Sequence, residues 1–146
     1  MTRYYVAGKF QEAGIIRSIM EGFRKRGHEI TSDWTYDDPD AEGKALKFIA
    51  DTGLQGLRNC EALLVVAVND WHYKGAIGEF VSTLVDRKPT YMIGHGLDEC
   101  IFTNSTALYR FETLSDFWAF EENYLREPIP SGGTEGDRRW PNEAHY

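Results

Sequence analysis

The stretch Ala62–Gly94, ALLVVAVNDWHYKGAIGEFVSTLVDRKPTYMIG, decides the fold. It begins with an apolar run, Leu63 to Val68, short and rich in β-branched residues, as expected of a strand buried on both faces. A polar loop runs from Asn69 to Lys74. Gly75 then opens an amphipathic helix, and Ile77, Val81, Leu84 and Val85 mark the side predicted to face the core. Lys88-Pro89 ends that helix, and Thr90 to Ile93 reads as the next strand. The unit is strand, loop, helix, strand. In open α/β sheets, ligands bind at the carboxyl ends of strands, where such a loop sits. One acid, Glu79, lies early in the helix and off its apolar face. It is placed to point into that crevice or into solvent. Acids are also common near helix N-termini simply because they complement the dipole.

The same alternation extends in both directions. Arg3 to Ala7 reads as a first strand and Gly8-Lys9-Phe10 as the loop after it. A helix follows, with Ile15, Ile16, Ile19, Met20 and Phe23 at helical spacing. Arg24-Lys25-Arg26 fills its last turn and Gly27 stops it. His28 to Ser32 is a short second strand, followed by Asp33-Trp34-Thr35-Tyr36 and the acidic turn Asp37-Asp38-Pro39-Asp40. A second helix spans about Ala41 to Asn59, with Leu46, Ile49, Ala50, Leu54 and Leu57 as its expected buried face. Gly43, Gly53 and Gly56 each weaken it by ~1 kcal/mol relative to Ala, which close packing would explain. Beyond the fourth strand come a loop, Gly94 to Ser105, and a short edge strand, Ala107 to Phe111. Thr113 with Asp116 caps a last helix that carries Phe117, Phe120 and Tyr124 inward. Residues 127–146, with prolines, glycines and Trp140, form an irregular tail after a domain of residues 1–126. Strands alternating with helices predict one α/β domain. Its sheet is doubly wound (flavodoxin-like or Rossmann-like) and parallel, with four to five strands and helices on both faces.

Composition narrows the partners. The 146 residues are 42% hydrophobic and 27% charged, enough for one domain with a real core. No apolar run reaches the ~18 residues of a membrane span. The chain enters its first strand almost at once, so a cytoplasmic protein without a signal peptide is expected. Cys60 and Cys100 are far apart and read as reduced thiols. A net charge of -7 argues against a nucleic-acid polymer as partner but permits a small nucleotide. His28, His72, His95 and His145 are scattered, so neither a metal nor another cofactor is expected.

Gly75, Gly78 and Glu79, the apolar helix face, and Arg87-Lys88-Pro89-Thr90 together resemble the nucleoside 2-deoxyribosyltransferase family, including its nucleotide N-glycosidase branch. Members carry a Gly, a short spacer, a Glu, and a helix ending in Gly-Lys-Pro-Val or similar. The resemblance covers residues 3 to 126. It implies that Glu79 is the catalytic nucleophile. It also implies that Tyr5, in Tyr5-Val6-Ala7-Gly8, lies near the nucleophile; a half-buried strand tyrosine is the alternative. In the family the loop after the second strand lines the base pocket, which here offers Asp33 and Trp34. Gly8, Lys9, Phe10, Tyr73, Lys74 and Gly75 would contribute to the same substrate site. Lys74 would suit a 5′-phosphate as a point charge; a solvated loop lysine is the other reading. Two departures stand out. The family's acid on the second helix aligns with Gly53, leaving Asp51 nearby as proton donor. Tyr73 occupies the position six before the Glu that holds Asp in transferases and Ser in nucleotide hydrolases, so Asp70 is the substitute. Members are commonly dimers or larger, with a neighbour's C-terminal region closing each pocket; Asn104 and the segment ending in Tyr146 would play that part.

The chemistry follows from the bond. Cleaving an N-glycosidic bond develops oxocarbenium character on the sugar. A carboxylate below the anomeric carbon stabilises that charge and traps it as a glycosyl ester, as in retaining glycosidases. Water or a second base resolves the ester, and the leaving base needs a proton. The helix position of Glu79 is expected to keep it ionised. The pattern leans to the transferase branch, because no phosphate-binding Ser is evident. A catalytically lapsed nucleotide-binding module is the rival reading. A flavodoxin-like electron carrier is disfavoured, since no Ser/Thr-Gly-rich phosphate loop follows the first strand.

Overall fold

A computed structural model of the protein describes residues 1–69 and 73–125. Five strands form one sheet: β1 (Arg3–Ala7), β2 (Glu29–Ile30), β3 (Ala62–Val66), β4 (Thr90–Ile93) and β5 (Leu108–Phe111). Their order is β2-β1-β3-β4-β5, and every pair is parallel. This is the flavodoxin-like arrangement, and it resolves the two alternatives left by the sequence. The helices are α1 (Ala13–Lys25), α2 (Gly43–Asn59), α3 (Lys74–Val85) and α4 (Leu114–Phe120), the last continued by a π-helical turn, Glu121–Leu125.

Alternation along the strands sorts the core into two layers. Tyr4, Val6, Leu64, Val66, Tyr91 and Ile93 face one side, with Ile16, Met20 and Phe23 of α1 and Phe117 of α4. Tyr5, Ala7, Leu63, Val65 and Met92 face the other, with Ala76 and Phe80 of α3. The chain therefore winds one way from β1 to β2 and the other way from β3 onward. The switch point lies between β1 and β3, where the crevice for a ligand is expected.

The local signals mostly act as their chemistry demands. Gly27 takes φ +84° just past α1, and the Thr113 hydroxyl accepts from the Asp116 amide at 3.1 Å. Gly94 takes φ +89°, and a Cβ there would stand 2.5 Å from the Ala67 carbonyl oxygen, so the loop after β4 packs directly on the end of β3.

Three faces differ from expectation. On α3 the fully buried positions are Ala76, Phe80 and Thr83, and Val85 is exposed. The buried line is turned about the helix axis from the apolar pattern, and Ile77, Val81 and Leu84 pack against the core only part-buried. On α2, Leu46, Ala50 and Leu54 are exposed, Ile49 and Leu57 are half-buried, and Gly56 is the buried residue. The helix touches the sheet through its C-terminal half, and its N-terminal half stands off as a wall. Tyr124 is exposed, although its ring stacks on Phe120 at 4.9 Å. Among the described residues, no helix is long and apolar enough to cross a membrane.

Candidate active site

Tyr5 lies mid-strand in β1 and points to the α2–α3 side of the sheet. Its hydroxyl faces the Glu79 carboxylate, near enough for each group to shift the other's pKa. Helix α2 covers the ring at Gly56, where a Cβ would stand 3.3 Å from two ring carbons and 2.7 Å from the Ser32 Cβ. Only glycine permits that approach. Burial, then the charge and hydrogen bond of Glu79, push the Tyr5 pKa far up. Tyr5 is therefore a neutral phenol, able to donate to the carboxylate.

Glu79 sits in the second turn of α3 and is half-buried. Its Oε1 lies over Gly75, 3.8 Å from where a Cβ would be. Burial raises its pKa from 4.5 to about 7, and the Tyr5 hydrogen bond pulls against that rise. The sequence expectation was an acid kept ionised by the helix. That effect fades beyond the first turn, and desolvation outweighs it here.

A cavity of about 360 Å³ opens beside this pair, at the carboxyl ends of β1 and β3. Its size suits a small molecule. Phe10 and Trp34 form one wall, and Ile49, Gly53 and Leu54 of α2 form another. The Trp34 indole N–H donates to the Val6 carbonyl at 2.7 Å, and its ring meets Phe10 edge-on at 5.7 Å. These contacts hold the indole in place. Glu79 also borders a second opening between α2 and α3, beside Arg58 and Ser82.

Of the residues singled out from the sequence, Tyr5, Gly8, Phe10, Trp34, Gly75 and Glu79 line the cavity together. Lys9 and Tyr73 lie buried behind it. Tyr73 donates to Glu12 Oε1 at 2.7 Å and accepts from the Asn69 amide at 3.2 Å. Lys9 Nζ stands 3.4 Å from the same Glu12 oxygen. This buried knot ties the loop after β1 to the loop after β3. Burial and the bond to Glu12 push Tyr73 up to about 12. Glu12 was not among the sequence candidates; its partner lies 61 positions away, so no local pattern marks it.

Asp33 is occupied by Arg24 Nη2 at 2.9 Å and by the Thr35 hydroxyl at 2.6 Å. Burial alone would raise its pKa, but the bonds from Thr35 and Arg24 prevail and hold it below the usual range. Asp37 lines the cavity from the same loop. Asp51 is exposed on α2 and is not part of the lining. Lys74 is exposed at the start of α3. Asn104, also exposed, donates to the Ile101 carbonyl at 3.0 Å. Asp70, His72 and the segment 127–146 lie outside the described residues.

This geometry can be set beside known proteins. The chain superposes on a 2-deoxyribosyltransferase from the psychrotolerant bacterium Bacillus psychrosaccharolyticus with a TM-score of 0.65. The match covers 84% of this chain and 91% of that one at 17% sequence identity. The chain has the fold of a 2-deoxyribosyltransferase. No protein-family model matches it, and no curated protein matches it in sequence. The match is therefore one of architecture, and the chemistry rests on the side chains that the deoxyribosyltransferase fold brings together.

On that fold the cavity presents one carboxylate beside a phenol, two aromatic faces and a second carboxyl. Among the described residues, no three His, Cys, Asp or Glu side chains gather as a metal site. Cys60 and Cys100 are both free thiols.

Proposed function

We propose that this protein breaks the N-glycosidic bond of a (deoxy)nucleoside or nucleoside 5′-monophosphate, with Glu79 as the nucleophile. The observation that carries the reading is the pairing of Tyr5 with Glu79 in the lining of an aromatic-walled cavity at the sheet's switch point. A base held against Trp34 gains ~1–3 kcal/mol from stacking. The sugar then lies between the base and Glu79. In its ionised form the carboxylate attacks the anomeric carbon as the C–N bond lengthens, and the glycosyl ester traps the oxocarbenium charge. Tyr5 favours the ionised form through its hydrogen bond and aims the carboxylate.

A second base or water then resolves the ester. Transfer to a second base is the favoured outcome. Tyr73 is spent on Glu12, and no serine takes the place of a phosphate-binding residue there. The protein is further taken to be cytoplasmic and to act as a homodimer or larger assembly. Exposed Leu46 and Leu54 on α2 and Val85 on α3 offer apolar surface on one side of the molecule, and light scattering reports the assembly.

The test is a panel of nucleosides and their monophosphates, each with and without a free acceptor base, analysed chromatographically. A new nucleoside formed only with acceptor identifies a transferase. Released base without acceptor identifies a hydrolase. Glu79→Gln is expected to lower either activity by ~10³-fold or more. Binding without turnover in the wild type would reject the enzymatic reading in favour of a nucleotide-binding module.

A further inference from the structure

Glycosyl transfer requires a group that protonates the departing base. Among the described residues that line the cavity, Glu79 and Asp37 are the two carboxyls. Glu79 is committed to the sugar. Asp51, the sequence candidate for the proton, is exposed and outside the lining. We propose that Asp37 is the general acid that protonates the leaving base. The inference rests on the glycosyl-transfer reading above.

Its position supports the role. Trp34–Tyr36 is a single tight turn, with Asp33 at one end and Asp37 at the other. The Asp37 amide closes that turn on the Trp34 carbonyl at 3.0 Å. The carboxyl therefore belongs to the same wall as the indole that would stack on the base. A base lying on that wall presents its edge nitrogens to groups on the rim of the wall. The two ends of the turn are not equivalent. Asp33 takes the available donors, Arg24 and Thr35. Among the described residues no donor bonds the Asp37 side chain. Asp38 and Asp40 are exposed, and Asp38 is used by the Asp40 amide at 2.9 Å. Asp37 is half-buried, close enough for Tyr5 to feel its charge. Burial, and then the negative charge of Asp33, raise its pKa, which favours the protonated form an acid needs.

The step balances. The C1′–N bond breaks and its electron pair passes to the base, while a Glu79 oxygen forms the new bond to C1′. The proton moves from the Asp37 carboxyl to a ring nitrogen of the base. In the second half-reaction the acceptor base or water attacks C1′, the ester bond breaks back onto Glu79, and the attacker's proton returns to Asp37.

The test compares leaving groups. Asp37→Asn is assayed with natural deoxynucleosides and with 4-nitrophenyl 2-deoxyriboside, whose nitrophenolate leaves without protonation. General acids contribute ~10²–10⁴-fold, so kcat on the natural substrates should fall by at least ~10²-fold. The burst of nitrophenolate, which reports the first half-reaction alone, should slow by no more than about threefold, which also demonstrates a folded site. A nitrophenolate burst slowed as much as base release from the natural substrates, or no loss on either, overturns the role of Asp37 while leaving Glu79 as nucleophile. A wild-type protein inactive on every glycoside overturns the glycosyl-transfer reading, and this inference with it.

Discussion

Replacing Glu79 by Gln should make the protein more stable, and by an amount that depends on pH. The buried carboxyl has its pKa raised from 4.5 to about 7 in the folded chain. Between those values the folded state holds a proton that the unfolded state has released. Stability then falls as pH rises through that window, and the full cost is present above about pH 7. Each pKa unit corresponds to ~1.4 kcal/mol, so the ionised carboxylate costs up to ~3 kcal/mol. Glutamine keeps the shape and can still accept from Tyr5, but it carries no charge. Urea unfolding of both proteins from pH 5.5 to 8.5 measures the difference. The variant should gain ~2–3 kcal/mol at pH 8.5 and progressively less towards pH 5.5. A variant less stable than wild type throughout, with the same dependence on pH, would refute the claim that this carboxylate is held against a desolvation cost.

Tyr5→Phe removes the donor that favours the ionised form of Glu79. A hydrogen bond to a charged group exceeds a neutral one by ~1–1.5 kcal/mol, so the acidic limb of kcat/KM should move up by about one pH unit. An unmoved limb would mean that the phenol does not tune the nucleophile. Gly56→Ala places a methyl 2.7 Å from the Ser32 Cβ and 3.3 Å from the Tyr5 ring, so it should destabilise by ~1–3 kcal/mol in thermal or chemical unfolding and reduce turnover by displacing Tyr5. Trp34→Ala should raise KM by ~5–100-fold for every base alike, because stacking is indifferent to base identity. A rise confined to one base would instead indicate edge recognition by the indole N–H, which the structure assigns to the Val6 carbonyl.

The parts of this fold legible from sequence are those whose signal is local. The run Leu63 to Val66 is apolar at every position because β3 is covered on both faces, and a buried parallel strand has no other pattern to show. The end of α1 is legible because Gly27 meets a conformational need at the residue itself. The face of α2 is not. Helical spacing at Leu46, Ala50 and Leu54 shows that an apolar stripe exists, but which neighbour covers it depends on where Gly56 lets the helix settle. The knot of Lys9, Glu12 and Tyr73 is illegible for a related reason, because two distant loops must first be brought together.

The candidate site divides along the same line, and the division bears on how its chemistry arises. Although the buried line of α3, Ala76, Phe80 and Thr83, is turned from the apolar pattern, the early position of Glu79 on that helix is legible in the sequence. Its charge state is not, because helix polarity and burial oppose each other and only the surroundings decide between them. Here burial prevails, and a single phenol opposes it. That balance leaves roughly half of Glu79 ionised near neutral pH, as a poorly solvated carboxylate. A nucleophile in this state has little hydration to shed before it attacks. Asp37 illustrates the converse. In Asp37-Asp38-Pro39-Asp40 three acids look alike as solvated turn residues. The Trp34–Tyr36 turn aims one of them at the cavity, and the same turn gives the available donors to Asp33. The two carboxyls of the site thus differ through their surroundings alone: one is buried beside a phenol and poised near neutrality, the other has no donor among the described residues and is raised by burial and by the charge of Asp33.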